Sequence, residues 1–164
     1  MKRKNLLITL LSLALGVFVF VSCKDRKEED VVVDPPVVCS LPNGTIKWKD
    51  NGVEYCANGV ILADQGIILT VYGLSGLGQS MTLEMDSVSV GTHALTADYN
   101  YLLYTDALAI AYEATNEQPG TMTITSHNET TNRIEGTFQI NAVNPLNGVS
   151  KQITDGQFSV TYTE

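Results

Sequence analysis

The sequence predicts an all-β domain, an antiparallel β-sandwich or small barrel of about 8–10 strands, that follows an N-terminal leader and a linker. Polar and apolar residues alternate through short segments such as Met81–Asp86 and Gln157–Tyr162. This is the pattern of strands with one buried face. Turn signals such as Asp50-Asn51-Gly52 separate these segments, since Asn-Gly tolerates the positive φ of tight hairpin turns.

The first 22 residues have the organisation of a secretory signal peptide. Lys2, Arg3 and Lys4 precede an apolar run over 6–21, and the small Ser22 precedes Cys23. As a helix the run would extend about 24 Å, which is short for a hydrocarbon core of about 30 Å. We therefore expect cleavage before Cys23, with an uncleaved membrane anchor and plain secretion as the alternatives.

The residues Phe20-Val21-Ser22-Cys23 resemble the lipobox of bacterial lipoproteins. The resemblance implies that Cys23 carries lipid on its sulfur and on its new amino group. The acidic-rich run over 24–30 is similar to the surface-export signal of Bacteroidetes lipoproteins. It implies a protein anchored by lipid in the outer membrane and displayed at the cell surface, with the periplasmic face as the alternative.

Residues 23–40 are predicted to be the acylated cysteine and a tether, followed by a single all-β domain at 41–164. The tether contains Pro35-Pro36, and adjacent prolines keep a chain extended because they fix φ and remove N–H donors. Removal of the leader takes away three basic residues and no acidic ones, so the formal net charge changes from −8 to −11. Such a surface argues against binding to nucleic acid or to anionic lipid head groups.

The chain has three cysteines. If Cys23 is lipidated, Cys39 and Cys56 remain, and an even number of cysteines in an oxidising envelope favours a disulfide. The alternatives are two buried thiols or a metal site.

In chain order, strands are expected at 45–49, 53–55, 60–63, 67–72, 81–86, 122–125, 133–142 and 157–162. Gly136 interrupts the alternation of its strand, which indicates a β-bulge or a close approach of another chain segment. The region Asp98–Ala114 fits a helix or strands, and we predict two strands with a turn near Thr105-Asp106 because tyrosine is enriched in sheets.

The order of several turn-strand motifs is similar to that of a family of small uncharacterised Bacteroidetes lipoproteins. The resemblance implies an all-β domain on a lipid anchor and supplies no catalytic residues. The motifs cover most of 44–164 and comprise 50–55, 81–86, 91–95, 119–124, 134–138 and 154–158.

No motif for catalysis or for a cofactor emerges. His93 and His127 have no metal-ligand spacing, and Ser75 lies in a Gly-Leu-Ser-Gly-Leu run that lacks the last glycine of a nucleophile elbow. Glu84 and Asp86 alternate with apolar residues and are expected to face solvent, where carboxylates simply hydrate. Asp50-Asn51-Gly52 and Asp155-Gly156 offer oxygen ligands for calcium but fit turns better. We therefore predict no catalytic residues, no metal and no cofactor.

Aromatic side chains supply the best binding hypothesis. Trp48, Tyr99, Tyr101 and Tyr104 are candidates for a surface that stacks on sugar rings or contacts a partner protein. The alternative is that Trp48 forms core or cross-strand contacts with Tyr55. In addition, Asp86-Ser87-Val88 resembles an O-glycosylation acceptor of this bacterial group, which makes Ser87 a candidate modification site.

These observations predict a non-enzymatic domain with a binding or structural role, attached to the membrane through Cys23 and contacting an unknown protein or carbohydrate. The rival functions are an envelope enzyme, an inhibitor or immunity-type lipoprotein and a lipocalin-like carrier. The carrier would place the side chains of Met81, Leu83, Met85, Phe138 and Ile140 around an apolar cavity.

Overall fold

A computed structural model describes Cys39 and residues 44–57, 60–65 and 68–164, with the backbone alone for 60–62. The predicted signal peptide at 1–22, the acylated Cys23 and the tether as far as 40 lie outside the described residues, apart from Cys39. Within the described ranges no helix reaches the length and apolarity of a membrane span. Pro35–Glu164 forms one compact unit.

The all-β prediction is confirmed, and the described residues form eleven strands, one more than the upper expectation. The last strand begins at Ser150 rather than at the predicted residue 157, because it pairs with the preceding strand along nearly its whole length. The strands are β1 (Thr45–Asp50), β2 (Val53–Ala57), β3 (Val60–Gln65), β4 (Leu69–Leu74), β5 (Ser80–Met85), β6 (Gly91–Leu95), β7 (Leu102–Thr105), β8 (Ala111–Glu113), β9 (Gly120–Asn128), β10 (Arg133–Val143) and β11 (Ser150–Thr161).

The strands form one curled sheet, a half-barrel, in the order β2-β1-β11-β10-β8-β7-β5-β4-β3. The sheet forks at β10, because β9 pairs with its first part and β8 with its end, while β6 pairs with β9. At the other edge of the sheet, β3 contacts the segment that follows β11, since Gln65 N donates to Thr163 O at 2.8 Å. The sheet therefore wraps around a single interior.

In the β10–β11 hairpin, two glycines each lie opposite an aromatic residue and leave room for its ring. Gly136 lies opposite Phe158, and Phe138 lies opposite Gly156. A Cβ atom on Gly136 would lie 2.5 Å from Phe158 Cζ, so a side chain there would displace the ring. The register against β9 also shifts between Glu135 and Gly136. Both expectations for Gly136, a bulge and a close approach, are therefore confirmed.

The core contains a chain of aromatic rings. Trp48 is fully buried, stacks on Tyr55 at 6.1 Å between ring centroids, and meets Tyr104 edge-on at 6.2 Å. Tyr104 in turn lies 6.1 Å from Tyr112. The side chains that a carrier would need around a cavity, those of Met81, Leu83, Met85, Phe138 and Ile140, belong to the same core and are at most 5% exposed.

The region between Asp98 and Ala114 forms strands, as predicted. Strands β7 and β8 pair with each other, and the turn between them begins at Asp106. The Asp106 carboxylate accepts from Leu108 N at 2.9 Å and Ile110 N at 3.0 Å, and Ala109 has a φ of 61°. These hydrogen bonds stabilise a turn that reverses the direction of the chain, so the region forms a hairpin and not a helix.

Cys39 and Cys56 form a disulfide, as predicted. The bridge attaches residue 39 to β2, which pairs with β1 alone among the described strands. For a sequence separation of 17 the entropy model assigns such a bridge roughly 3 kcal/mol. It fixes the beginning of the domain to an edge of the sheet.

Candidate functional site

The structure separates the four aromatic candidates. Trp48 and Tyr104 are 0% exposed, because they occupy the inward-facing positions of β1 and β7, so the expectation that they belong to a ligand-binding surface is corrected. Tyr99 is 69% exposed, and Tyr101 is half-buried. These two tyrosines lie in the connection between β6 and β7, and both border the same surface hollow.

The hollow has a volume of about 300 Å³ and lies where β5 ends and β7 begins. Its lining combines aromatic, acidic and amide side chains. The lining residues are Ile68, Glu84, Asp86, Ala97, Asp98, Tyr99, Asn100 and Tyr101.

A tight turn holds Tyr99 at the edge of the hollow. The Thr96 hydroxyl oxygen accepts from Asp98 N at 3.3 Å and from Tyr99 N at 3.0 Å, and the hydroxyl donates to Tyr99 O at 3.0 Å. Asn116 stabilises the same turn, since its side-chain nitrogen donates to the Asp98 carboxylate at 2.8 Å and its side-chain oxygen accepts from Ala97 N at 3.3 Å. The backbone that carries the exposed ring is therefore preorganised.

Asn100 and Asp86 connect this turn to β5. Asn100 N donates to the Asp86 carboxylate at 3.0 Å, and Asp86 N donates to the Asn100 side-chain oxygen at 3.2 Å. Asn100 is 8% exposed and has a φ of 47°, a conformation that asparagine tolerates better than most residues. Glu84 N also donates to Tyr101 O at 2.9 Å, which extends the attachment along the strand.

Tyr101 supplies the inner wall of the hollow. Its hydroxyl donates to the Glu113 carboxylate at 2.6 Å. Burial raises the pKa of Tyr101 well above its usual value, and the hydrogen bond to Glu113 raises it further. The hydroxyl therefore stays protonated at neutral pH and fixes the ring in place.

The electrostatic character of the hollow is acidic. Glu84, Asp86 and Asp98 line it, and no lysine or arginine is among its lining residues. Within the described ranges, no group of three or more His, Cys, Asp or Glu side chains is arranged to hold a metal ion. Carboxylates beside an exposed ring accept hydrogen bonds from hydroxyl groups, so the hollow suits a neutral ligand rich in hydroxyls better than an anion.

The structure places the remaining candidates in structural roles. His93 Nε2 lies 2.8 Å from Ser89 O, and His127 Nε2 lies 2.8 Å from the Tyr162 hydroxyl. The Ser75 hydroxyl donates to the Gln79 side-chain oxygen at 2.6 Å, inside the turn after β4. None of these side chains lines the hollow around Tyr99.

Both turns that offered calcium ligands use their carboxylates in ion pairs. Asp50 bonds Lys151 Nζ at 2.9 Å and also accepts from the Tyr104 hydroxyl at 3.0 Å. Asp155 bonds Lys49 Nζ at 2.7 Å. Ser87 lies in the irregular segment after β5 with its hydroxyl 2.9 Å from that of Ser89. Glycosylation of Ser87 stays a prediction.

Sequence reasoning missed Thr96, Asn100 and Asn116, which shape the site without being aromatic or acidic. The spacing of Thr96 to Asp98 and Tyr99 is that of a hydroxyl-capped turn, and this signal was present in the sequence. The reciprocal hydrogen bonds between Asp86 and Asn100 join residues 14 positions apart, and no local sequence pattern predicts such a contact.

A family model described as a domain of unknown function (DUF6252) matches residues 43–160. The match covers β1 to β10 and almost all of β11, and it includes the hollow around Tyr99. Comparisons with curated proteins and with solved structures gave no match.

Proposed function

The chain belongs to the DUF6252 family, whose function is not known, and we propose that it is a lipid-anchored cell-surface domain that binds neutral saccharides in the hollow around Tyr99. In this proposal the domain is non-enzymatic, and its lineage is that of Bacteroidetes lipoproteins. The observation that carries the binding role is the 69% exposure of Tyr99 at the edge of an acidic hollow whose backbone is held by hydrogen bonds.

The anchor is supported by the basic start, the short apolar run and the small residue before Cys23. A lipid chain contributes about 0.8 kcal/mol per buried methylene, and two or more chains give stable attachment. The acidic run after Cys23 supports display at the cell surface, where saccharides are accessible.

For the anchor we expect Cys23→Ser to abolish incorporation of labelled palmitate and to release the protein from the membrane fraction. Ser22→Ala retains a small residue before the cysteine and should label like the parent. Protease treatment of intact cells then reports display, since a surface domain is cleaved and a periplasmic one is protected. A Cys23→Ser variant that still labels and fractionates with membranes would refute the anchor.

The binding site is supported by the chemistry of its lining. A tyrosine ring offers an apolar face to the C–H side of a sugar ring, while its hydroxyl stays in water. Glu84 and Asp98 supply acceptors for sugar hydroxyls at the sides of the hollow. The same carboxylates repel anionic ligands, which is why the proposal is restricted to neutral saccharides.

For the site we expect Tyr99→Ala to weaken binding by roughly tenfold, the effect of losing one ring-stacking contact. Titration calorimetry with neutral glucan, mannan and xylan oligosaccharides measures this directly. Tyr99→Phe keeps the ring and should retain affinity within about threefold. The proposal fails if no oligosaccharide binds, or if Tyr99→Ala binds as tightly as the parent. An unchanged melting temperature in both variants excludes unfolding as the cause.

A further inference from the structure

The exposed apolar side chains are concentrated at one end of the sheet. Among the described residues eight large hydrophobic side chains are exposed, and six of them lie in or beside four hairpin turns. We name these turns, 51–53, 75–79, 106–110 and 144–149, the hairpin rim. Its exposed side chains are Val53, Leu77, Leu108, Ile110, Leu146 and Val149.

Pairing between strands shows that the four turns share one end. Ser80 pairs with Thr105, which brings the turn before β5 beside the turn after β7. The Asn144 amide donates to Ala111 O at 3.0 Å, which joins the turn after β10 to the start of β8. Asn51 N donates to Gln152 O at 3.0 Å, which joins the first turn to β11. The hollow around Tyr99 lies at the opposite end of β5.

Three of the turns present a leucine by the same local device. In each, a polar side chain accepts a hydrogen bond from the backbone N–H of the leucine two positions later. The pairs are Ser75 with Leu77 at 3.3 Å, Asp106 with Leu108 at 2.9 Å, and Asn144 with Leu146 at 2.9 Å. The leucines are 70%, 80% and 92% exposed. Such turns hold the backbone rigid while the side chain projects, so the exposure is built into the fold.

The rim also carries little charge. Asp106 is the single charged residue in its four turns, and the turn's own backbone N–H groups donate to its carboxylate. Asp50 and Lys151 lie beneath the rim, and they form an ion pair with each other. An apolar end whose turns contain a single charged residue is unusual on a chain with a formal net charge of −8 and indicates a surface that leaves water on binding.

From these observations we infer that the hairpin rim inserts into the surface of a lipid bilayer that carries little negative charge. Separate apolar tips enter the boundary between head groups and acyl chains, while asparagine and glycine of the same turns stay among the head groups. The formal net charge of −8 disfavours anionic lipid. Insertion would turn the hollow around Tyr99 away from the membrane.

The proposed lipid anchor on Cys23 is compatible with this orientation, because the segment between Cys23 and the domain is long enough. This compatibility rests on the proposed anchor. Between Cys23 and the disulfide-bonded Cys39 an extended chain reaches about 55 Å. The longest strand, β11, has 12 residues and extends about 40 Å. The tether is therefore long enough for this orientation, and the anchor raises the local concentration of the rim at the bilayer. Insertion itself does not require Cys23.

The test uses the fragment 35–164, because it forms one compact unit and holds every described strand and the disulfide. We expect it to float with phosphatidylcholine vesicles, and less so when about a third of the lipid is phosphatidylglycerol. The double variant Leu108→Ser/Leu146→Ser should lower the partition coefficient at least about tenfold, because two leucine side chains lose contact with the bilayer and each contributes roughly a factor of three to ten when partly inserted.

The matched control is Val90→Ser, since Val90 is 64% exposed but lies outside the rim. Its partition coefficient should stay within about twofold of the parent. The inference is overturned if the parent does not bind phosphatidylcholine vesicles, or if the double variant binds equally well. It is also overturned if the parent is a dimer in light scattering that the leucine substitutions dissociate, which would assign the rim to a second copy. Because the fragment lacks Cys23, none of these outcomes bears on the anchor.

Discussion

Trp48→Ala is expected to lower the free energy of unfolding by about 3–5 kcal/mol, the range for removing a large aromatic side chain from a core. Trp48 is fully buried and contacts both Tyr55 and Tyr104. The cavity left by its indole would lie between the first strand and β7, which come together from opposite parts of the sheet. Urea unfolding followed by circular dichroism measures the loss, since the variant retains no tryptophan for fluorescence.

The variant Trp48→Phe tests whether Trp48 stabilises the fold by packing or by a hydrogen bond of its indole N–H. Among the described residues the indole N–H has no hydrogen-bond partner, so the loss should follow the volume removed and amount to about half that of the alanine variant. A substitution to alanine that costs less than about 1 kcal/mol would contradict the buried position of Trp48. The same result would restore Trp48 as a candidate for ligand stacking.

The second large effect concerns the ion pair below the hairpin rim. Lys151→Met should destabilise the fold by about 2–3 kcal/mol, because the largely buried Asp50 carboxylate would lose its cationic partner. The Asp50 side chain is 8% exposed and that of Lys151 is 23% exposed, so the loss is smaller than for a fully buried pair. Adding Asp50→Asn should recover most of it, since asparagine still accepts from the Tyr104 hydroxyl.

The dependence of this effect on pH distinguishes the ion pair from simple packing. The hydrogen bond to Asp50 raises the pKa of Lys151 above its ordinary value of 10.5. Because the folded-state pKa lies above the unfolded one, the stabilisation is complete below about pH 10 and declines as the pH rises through the folded-state pKa. The difference in unfolding free energy between parent and Lys151→Met should therefore shrink above that value. A difference that is constant from pH 7 to pH 12 would refute the contribution of the charge.

Prediction from sequence succeeded where a local pattern decides the structure. Alternation in Met81–Asp86 and around Phe138 correctly assigned strands with one buried face. The interruption at Gly136 correctly indicated a bulge and a close approach, because a missing side chain inside an alternating strand has few other uses. Counting cysteines gave the correct pairing of Cys39 with Cys56.

The site could be predicted only in part, because exposure of an aromatic residue depends on strand pairing. Trp48, Tyr99, Tyr101 and Tyr104 are equivalent candidates in the sequence. Strand pairing places Trp48 and Tyr104 on the inner face of the sheet, whereas a turn capped by Thr96 keeps Tyr99 outside. Glu84 lies in β5 and Asp86 directly follows it, and the hydrogen bond between Asp86 and Asn100 brings both acids close to Tyr99.

The fold class, the disulfide and most strands can be predicted from the sequence, because period-two patterning, turn chemistry and cysteine number are properties of the chain that need no knowledge of distant contacts. Three features become visible only in the folded chain: which aromatic rings are buried, that Tyr99 shares a hollow with Glu84 and Asp86, and that four separate turns present their apolar tips at one end. These features follow from the curl of the sheet and the register of its strands. Both are determined by contacts between residues that are far apart along the chain.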